Sequence, residues 1–215
     1  MTEIWVVRHG ETAWNTVRRV QGWEDIELNE IGISQAQALG RHLAATTQTS
    51  QPIDAIYSSD LKRAHVTANI IGESLGLKPH IEPGVRERNF GVLQGLTFHS
   101  MHEHQPEAAK VRASRDPDGV IPEGETLGTF HRRVVGAINA IAARHIGQRV
   151  MVVSHGGAMD IIWRQANQLS LQADRHAPIV NTSVNRIAVS TDGWKVIDWG
   201  DVTHLDRSSL DDVTA

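Results

Sequence analysis

The sequence predicts an α/β fold: a three-layer sandwich with a mostly parallel central sheet, helices on both faces and an insertion covering the site. Three observations carry that reading. Short apolar runs rich in β-branched residues alternate with longer segments of helical periodicity. Two of these runs, Ile4 to Val7 and Val150 to Ser154, are followed closely by a histidine and a glycine, at His9-Gly10 and His155-Gly156. No internal repeat or low-complexity linker divides the chain, so one domain is expected across residues 1–215.

Taken in order, Ile4 to Val7 reads as a buried strand that breaks into a turn at Gly10. Asn29 is placed to cap a helix running to about Ala45. Ile53 to Tyr57 is the next strand, and Asp60 is expected to cap the helix after it, to about Leu75. The cover is expected over about 93–121, where periodicity is mixed, and substrate choice should reside there. Pro122-Glu123-Gly124-Glu125 opens a third helix that carries Leu127, Phe130, Val134, Ile138 and Ile141 on one face. Gly156 begins a fourth, directly after the strand Val150 to Ser154. Val184 to Ser190 and Trp194 to Trp199, separated by Thr191-Asp192-Gly193, read as a hairpin. The polar tail after Gly200 is expected to be mobile. If the two histidine-terminated strands are parallel neighbours, both imidazoles emerge at one carboxyl edge, where open α/β sheets bind ligands.

Composition bounds the function. With 215 residues, 40% hydrophobic and 21% charged, the chain can bury one sizeable core. A net charge of -4 without a basic tract argues against a general nucleic-acid partner, so anion recognition must be local. The absence of cysteine removes disulfides, thiolate metal sites and cysteine nucleophiles, and is compatible with a reducing cytoplasm. Met1-Thr2-Glu3 lacks a positive leader and the apolar run behind it is short, so neither secretion nor a membrane partner is expected. The six tryptophans are mostly explained by packing, which leaves a homodimer open. His99, His102 and His104 have a spacing that suggests a metal site. Without cysteine or an HExxH pattern they read instead as a solvated helix face.

Four separated elements carry the chemistry. They are Arg8-His9-Gly10-Glu11-Thr12 with Asn15, Arg63 in Ser58-Ser59-Asp60-Leu61-Lys62-Arg63-Ala64, Glu87 in Glu87-Arg88-Asn89-Phe90-Gly91, and Ser154-His155-Gly156. In this order, over most of the chain, they resemble the histidine phosphatases, also called the phosphoglycerate mutase-like superfamily. One Arg-His-Gly tripeptide recurs by chance; four ordered elements are far more specific.

The resemblance implies that His9 is the nucleophile, which suits a neutral imidazole near neutral pH, and that a phosphohistidine forms and is later broken by water. Arg8 and Arg63 are implied as clamps, because a guanidinium matches two phosphate oxygens and keeps its charge. His155, protonated when phosphate is bound, adds a positive donor and Asn15 a neutral one. Gln21, Gly22, Arg88 and Gly156 complete the implied substrate-binding set. Glu87 is the implied proton donor to the leaving oxygen. Arg86 and Arg88 would favour its ionised form if they pointed inward, whereas the phosphate's charge favours the protonated one. The implied chemistry uses no metal and no cofactor.

The expected activity is therefore a metal-independent phosphomonoester hydrolase acting on a small phosphorylated metabolite. A cofactor-dependent phosphoglycerate mutase is the alternative, since Glu87 to Leu96 looks like the corresponding mutase segment. Such mutases typically carry tyrosine where Phe90 stands, lysine where Phe98 stands, and a neighbouring arginine pair for the substrate carboxylate. Arg112 and Arg115 are separated, and Arg132-Arg133 lie inside the third helix. Asp206, Asp211 and Asp212 in the tail would repel phosphorylated substrates. A non-catalytic phospho-ligand-binding module is the third reading, and the intact His9, Arg63, Glu87 and His155 count against it.

Overall fold

A strand covered by helices on both faces must offer apolar side chains to each, so an unbroken apolar run marks the middle of a sheet. Val150, Met151, Val152 and Val153 are such a run, and all four are fully buried. The computed structural model describes residues 1–47, 52–174 and 176–205. Its strands are β1 (Thr2–Arg8), β2 (Ala55–Ser58), β3 (His80–Ile81), β4 (Arg149–Ser154), β5 (Val184–Ser190) and β6 (Gly193–Asp201). Its α-helices are α1 (Ala13–Thr16), α2 (Glu30–Thr47), α3 (Lys62–Leu75), α4 (Ser100–His104), α5 (Pro106–Ser114), α6 (Leu127–Arg144) and α7 (Gly156–Ala166).

The strands form a single sheet in the order β3-β2-β4-β1-β5-β6. The pairs β3 with β2, β2 with β4, and β4 with β1 are parallel; β5 alone runs against the rest, as the first strand of the hairpin with β6. Alternate side chains of the central strands feed two cores. Ile4, Val6, Val150 and Val152 pack with α6 and α7, while Val7, Met151 and Val153 pack with α2 and α3. Each large apolar side chain moved fully out of water contributes roughly 1.5–3 kcal/mol. The expected stripe Leu127, Phe130, Val134, Ile138 and Ile141 is buried along α6.

Two expected helix starts differ. Asp60 does not cap α3: the cap position is Leu61, and the Asp60 carboxylate pairs with Arg86 at 2.6 Å. The amide of Lys62 instead donates to Asp25 Oδ1 at 2.7 Å, from a loop distant in sequence. The α6 helix begins later than Pro122-Glu125, capped by Thr126, whose side chain accepts the Thr129 amide. Asn29 does cap α2, accepting from the Gly32 amide at 2.8 Å. Residues 93–121 hold α4 and α5 around a small cluster of Val20, Leu93, Met101, Ala108, Ala109 and Ile121. His99, His102 and His104 are exposed along α4, with His99 beside Glu103 at 3.5 Å. The expected mobile tail, with Asp206, Asp211 and Asp212, lies mostly outside the described residues. No helix among the described residues is long and apolar enough to cross a membrane.

Candidate active site

The register Arg8 opposite Ser154 sends His9 and His155 off the same sheet edge at the same level. The His9 amide donates to the Ser154 carbonyl at 2.9 Å, and the two imidazole centroids are 5.2 Å apart. His9 Nδ1 lies 2.7 Å from the Gly10 carbonyl oxygen. A carbonyl only accepts, so Nδ1 carries the proton and Nε2 keeps the lone pair. His155 follows β4 at the N-cap position of α7, is fully buried, and has no hydrogen-bond partner for either ring nitrogen among the described residues. Burial holds both imidazoles well below the ordinary histidine range, and the charges of Arg63 and Arg8 push the same way.

Of the residues nominated from sequence, all except His155 line one cavity of about 370 Å³: Arg8, His9, Asn15, Gln21, Gly22, Arg63, Glu87, Arg88 and Gly156. His155 is not on the cavity wall and packs against the His9 ring. Arg8 Nη1 donates to the Ile179 carbonyl at 2.7 Å, and Arg63 spends its terminal nitrogens on the carbonyls of Gly22 and Glu24, both at 2.8 Å. Arg63 Nε has no partner among the described residues, although the side chain is buried. Burial lowers Arg63 and Arg88 to about 10, which leaves both charged at neutral pH. Gly22 needs its φ of +52 to present that carbonyl, and a Cβ there would meet Gln94 Oε1 at 2.2 Å. Asn15 Oδ1 is taken up by Thr12 in a capping box, and Gln21 donates to Thr12 Oγ1 at 2.8 Å.

Glu87 lines the same cavity. Its Oε2 accepts the Gly157 amide at 2.9 Å and its Oε1 the Arg88 amide at 2.8 Å. The carboxylate thus sits against the N-terminus of α7, held by two backbone amides. Arg86 does not point inward; it pairs with Asp60, whereas Arg88 is buried in the cavity wall.

Several wall residues were not nominated. Arg112 and Arg115 come from α5 and its C-terminal end, and Phe90, Phe98, Trp14 and Asp160 line the same cavity. Arg112 lies 4.6 Å from the Phe98 ring centroid, and Arg115 pairs with Asp160 at 2.6 Å. Arg112 lies in the last turn of α5 and Arg115 is its left-handed C-cap, and their closeness in sequence was the available signal. The backbone under the site is braced by Asn181, which donates to the His9 carbonyl at 2.8 Å, and by the Thr182 amide, which donates to the Arg8 carbonyl at 3.0 Å.

In all, seven arginines and two carboxylates line the cavity. Buried guanidiniums cost desolvation energy and repel one another, so such a wall suits a multiply charged anion. Two strand-end histidines thus stand together at an arginine-lined cavity. The chain belongs to the histidine phosphatase superfamily (branch 1), which it matches over residues 4–202. It is 40% identical over 211 residues to phosphoglycerate mutase-like protein 4 of Arabidopsis thaliana, covering 97% of this chain and 89% of the relative. It is 39% identical over 207 residues to a metal-independent phosphoserine phosphatase of the same plant, covering 95% and 84%. The solved structure of Bacillus stearothermophilus YhfR superposes with a TM-score of 0.84 at 29% identity, covering 95% of this chain and 99% of that one. The chain is thus a phosphomonoester hydrolase of the histidine phosphatase type, and mutase-like names also occur among its relatives.

Proposed function

We propose that this enzyme hydrolyses a small phosphomonoester that carries a second anionic group, such as a phosphorylated hydroxy or amino acid, without metal, through a phosphohistidine at His9. The observation that carries the reading is the tautomer: with Nδ1 donating to Gly10, the only lone pair of the ring is on Nε2, in an arginine-lined cavity. No separate base is then needed to activate the nucleophile.

Arg8 and Arg63 hold the non-bridging oxygens, where charge concentrates in an in-line displacement. Their terminal contacts to backbone carbonyls lock the forks before substrate arrives, which reduces reorganisation during the step. Asn15, Gln21, Gly22 and the Gly156 amide flank the same oxygens. His155, behind His9, gains a proton when the phosphate's charge is present. Glu87 passes a proton to the leaving oxygen, the phosphorus–oxygen ester bond breaks, and the phosphoryl group stays on Nε2. Water then attacks phosphorus, gives its proton back to Glu87, and inorganic phosphate departs.

Residues 93–121 act as the cover. Arg112 and Arg115, with Arg88, supply positive charge beyond the phosphate, which fits a carboxylate on the substrate. Phe90 and Phe98 bound the space for its carbon skeleton. The Arabidopsis relative named for phosphoserine agrees with this class of substrate. A cysteine-free chain with no membrane-spanning helix among its described residues fits a cytoplasmic enzyme.

The test is a panel of phosphomonoesters assayed in the presence of a chelator. Turnover of phosphorylated acids above simple alkyl phosphates supports the reading. The same panel includes phosphoglycerate interconversion with and without a bisphosphorylated primer. Primer-dependent isomerisation faster than phosphate release would replace hydrolase with mutase.

A further inference from the structure

Arg132 and Arg133 are an adjacent basic pair, and the structure gives them different tasks. Arg132 reaches Thr129 on its own helix at 3.2 Å. Arg133 turns from α6 onto the loop that carries Glu87. Its Nη1 donates to the carbonyls of Gly84 at 3.0 Å and Arg86 at 3.1 Å, and its Nη2 donates to the carbonyl of Glu87 itself at 3.0 Å. Glu125 closes the bracket. Its Oε1 accepts from Arg133 at 2.5 Å and also takes the amide of Asn89 at 2.9 Å. One guanidinium and its counter-ion therefore hold the backbone on both sides of Glu87.

A second anchor acts on the same carbonyl. The Trp23 indole N–H donates to the Glu87 oxygen at 2.8 Å, while the ring stacks against Arg86, whose guanidinium lies 4.7 Å from its centroid. The segment has little regular structure of its own, only a short 3-10 turn at Pro83–Val85. Its shape depends on these contacts. A planar guanidinium has five donors in a rigid fork and can span several carbonyls at once, which an ammonium cannot. Arg133 is not among the residues lining the cavity, so it has no direct access to substrate.

We propose that Arg133 is a positioning residue for protonation of the leaving group: it fixes the Glu87 backbone so that the carboxyl stands over the ester oxygen. The proposal rests on the reading of Glu87 as proton donor. A proton donor works only within hydrogen-bond reach of its acceptor, and a displacement of about 1 Å costs on the order of a hundredfold.

Leaving-group dependence tests it. p-Nitrophenolate departs without a proton, whereas an alkoxide needs one. Arg133→Met is expected to slow phosphoenzyme formation from an alkyl ester such as glycerol phosphate, read by rapid acid quench, by about ten- to a hundredfold, leaving KM and phosphoenzyme formation from p-nitrophenyl phosphate within about threefold of the parent. Arg133→Lys is expected not to restore the alkyl activity. Trp23→Phe keeps the stack, removes one N–H and is expected to show the same selectivity to a smaller degree. It decides the matter alone if Arg133→Met does not fold. A folded variant that loses both esters equally, or neither, overturns the proposal, because a merely structural arginine would not discriminate leaving groups. Glu87→Gln is measured alongside. If Glu87→Gln is itself blind to the leaving group, the proton-donor reading has failed. If Glu87→Gln discriminates and the Arg133 and Trp23 variants do not, only the positioning role has failed.

Discussion

His9 and His155 stand with ring centroids 5.2 Å apart because β1 and β4 are adjacent parallel strands in which Arg8 is paired with Ser154. No loop has to fold over to bring them together. The proposed nucleophile and the imidazole behind it are carried by the two central strands, whose neighbouring side chains are fully buried on both faces. A site held on such elements keeps its geometry better than one held on loops.

His9→Ala is expected to lower kcat by about three orders of magnitude or more, since removing a covalent nucleophile leaves only binding and electrostatic assistance. Rapid acid quench of the parent enzyme with radiolabelled substrate should trap an acid-labile phosphoenzyme, and the variant should trap none. Label persisting on the variant would move the nucleophile elsewhere.

Strands β1 and β4 and their pair of histidines were legible because unbroken apolar runs closely followed by His-Gly state both the burial and the exit point, whereas the two-residue edge strand β3 left no such mark. The buried stripe of α6 was legible for a similar reason, its period. What stayed hidden depends on contacts between distant segments. Nothing local in Ile179 to Thr182 announces that Ile179 and Thr182 hold Arg8 while Asn181 holds the His9 carbonyl. Asp60 looked like a helix cap by position, yet Arg86 competes for its carboxylate and Asp25 takes over at the Lys62 amide. Arg112 and Arg115 looked separated when counted along the chain, but Arg112 stands in the last turn of α5 and Arg115 at its left-handed C-cap, and both reach the cavity wall.

Arg112 should govern substrate choice rather than chemistry. Arg112→Ala is expected to raise KM for a phosphorylated acid by about ten- to a hundredfold, the range of one lost charge-assisted hydrogen bond. KM for p-nitrophenyl phosphate, which lacks the second anion, should change little. Equal effects on both substrates would remove Arg112 from the carboxylate-recognition role.

Stability should fall on mild acidification. His9 and His155 are held well below the ordinary value of 6.5, chiefly by burial, so they stay neutral in the folded protein where the unfolded chain has begun to bind protons. With more protons bound in the unfolded state, stability rises with pH through this window and levels off above about 6.5, at up to about 1.4 kcal/mol per pH unit for each imidazole. His204, lowered to about 4 mainly by burial, adds to the same slope. Urea midpoints measured from pH 5 to 8 should show the fall, and a His9→Gln, His155→Gln double variant should flatten it. An unchanged slope in that variant would assign the effect to other groups.

Gly157 gives the most local test of the Glu87 carboxyl. Its amide donates to Glu87 Oε2 at 2.9 Å, and a Cβ at this position would lie 2.2 Å from Oε1 and 3.0 Å from the carboxyl carbon. Gly157 is in the first turn of α7 and has no positive φ, so alanine is compatible with the backbone and its three nearest contacts are all atoms of the Glu87 side chain. Glu87 must swing away, losing the helix N-terminus and its place in the cavity wall. Gly157→Ala should therefore fold with near-parent stability by thermal melt, yet lose about a hundredfold in kcat on alkyl phosphates, the scale of general acid catalysis. Phosphoenzyme formation from p-nitrophenyl phosphate should survive, because that step uses His9 and the arginines and its leaving group needs no proton. A Gly157→Ala enzyme that turns over alkyl phosphates like the parent would show that the Glu87 carboxyl has no part in leaving-group departure.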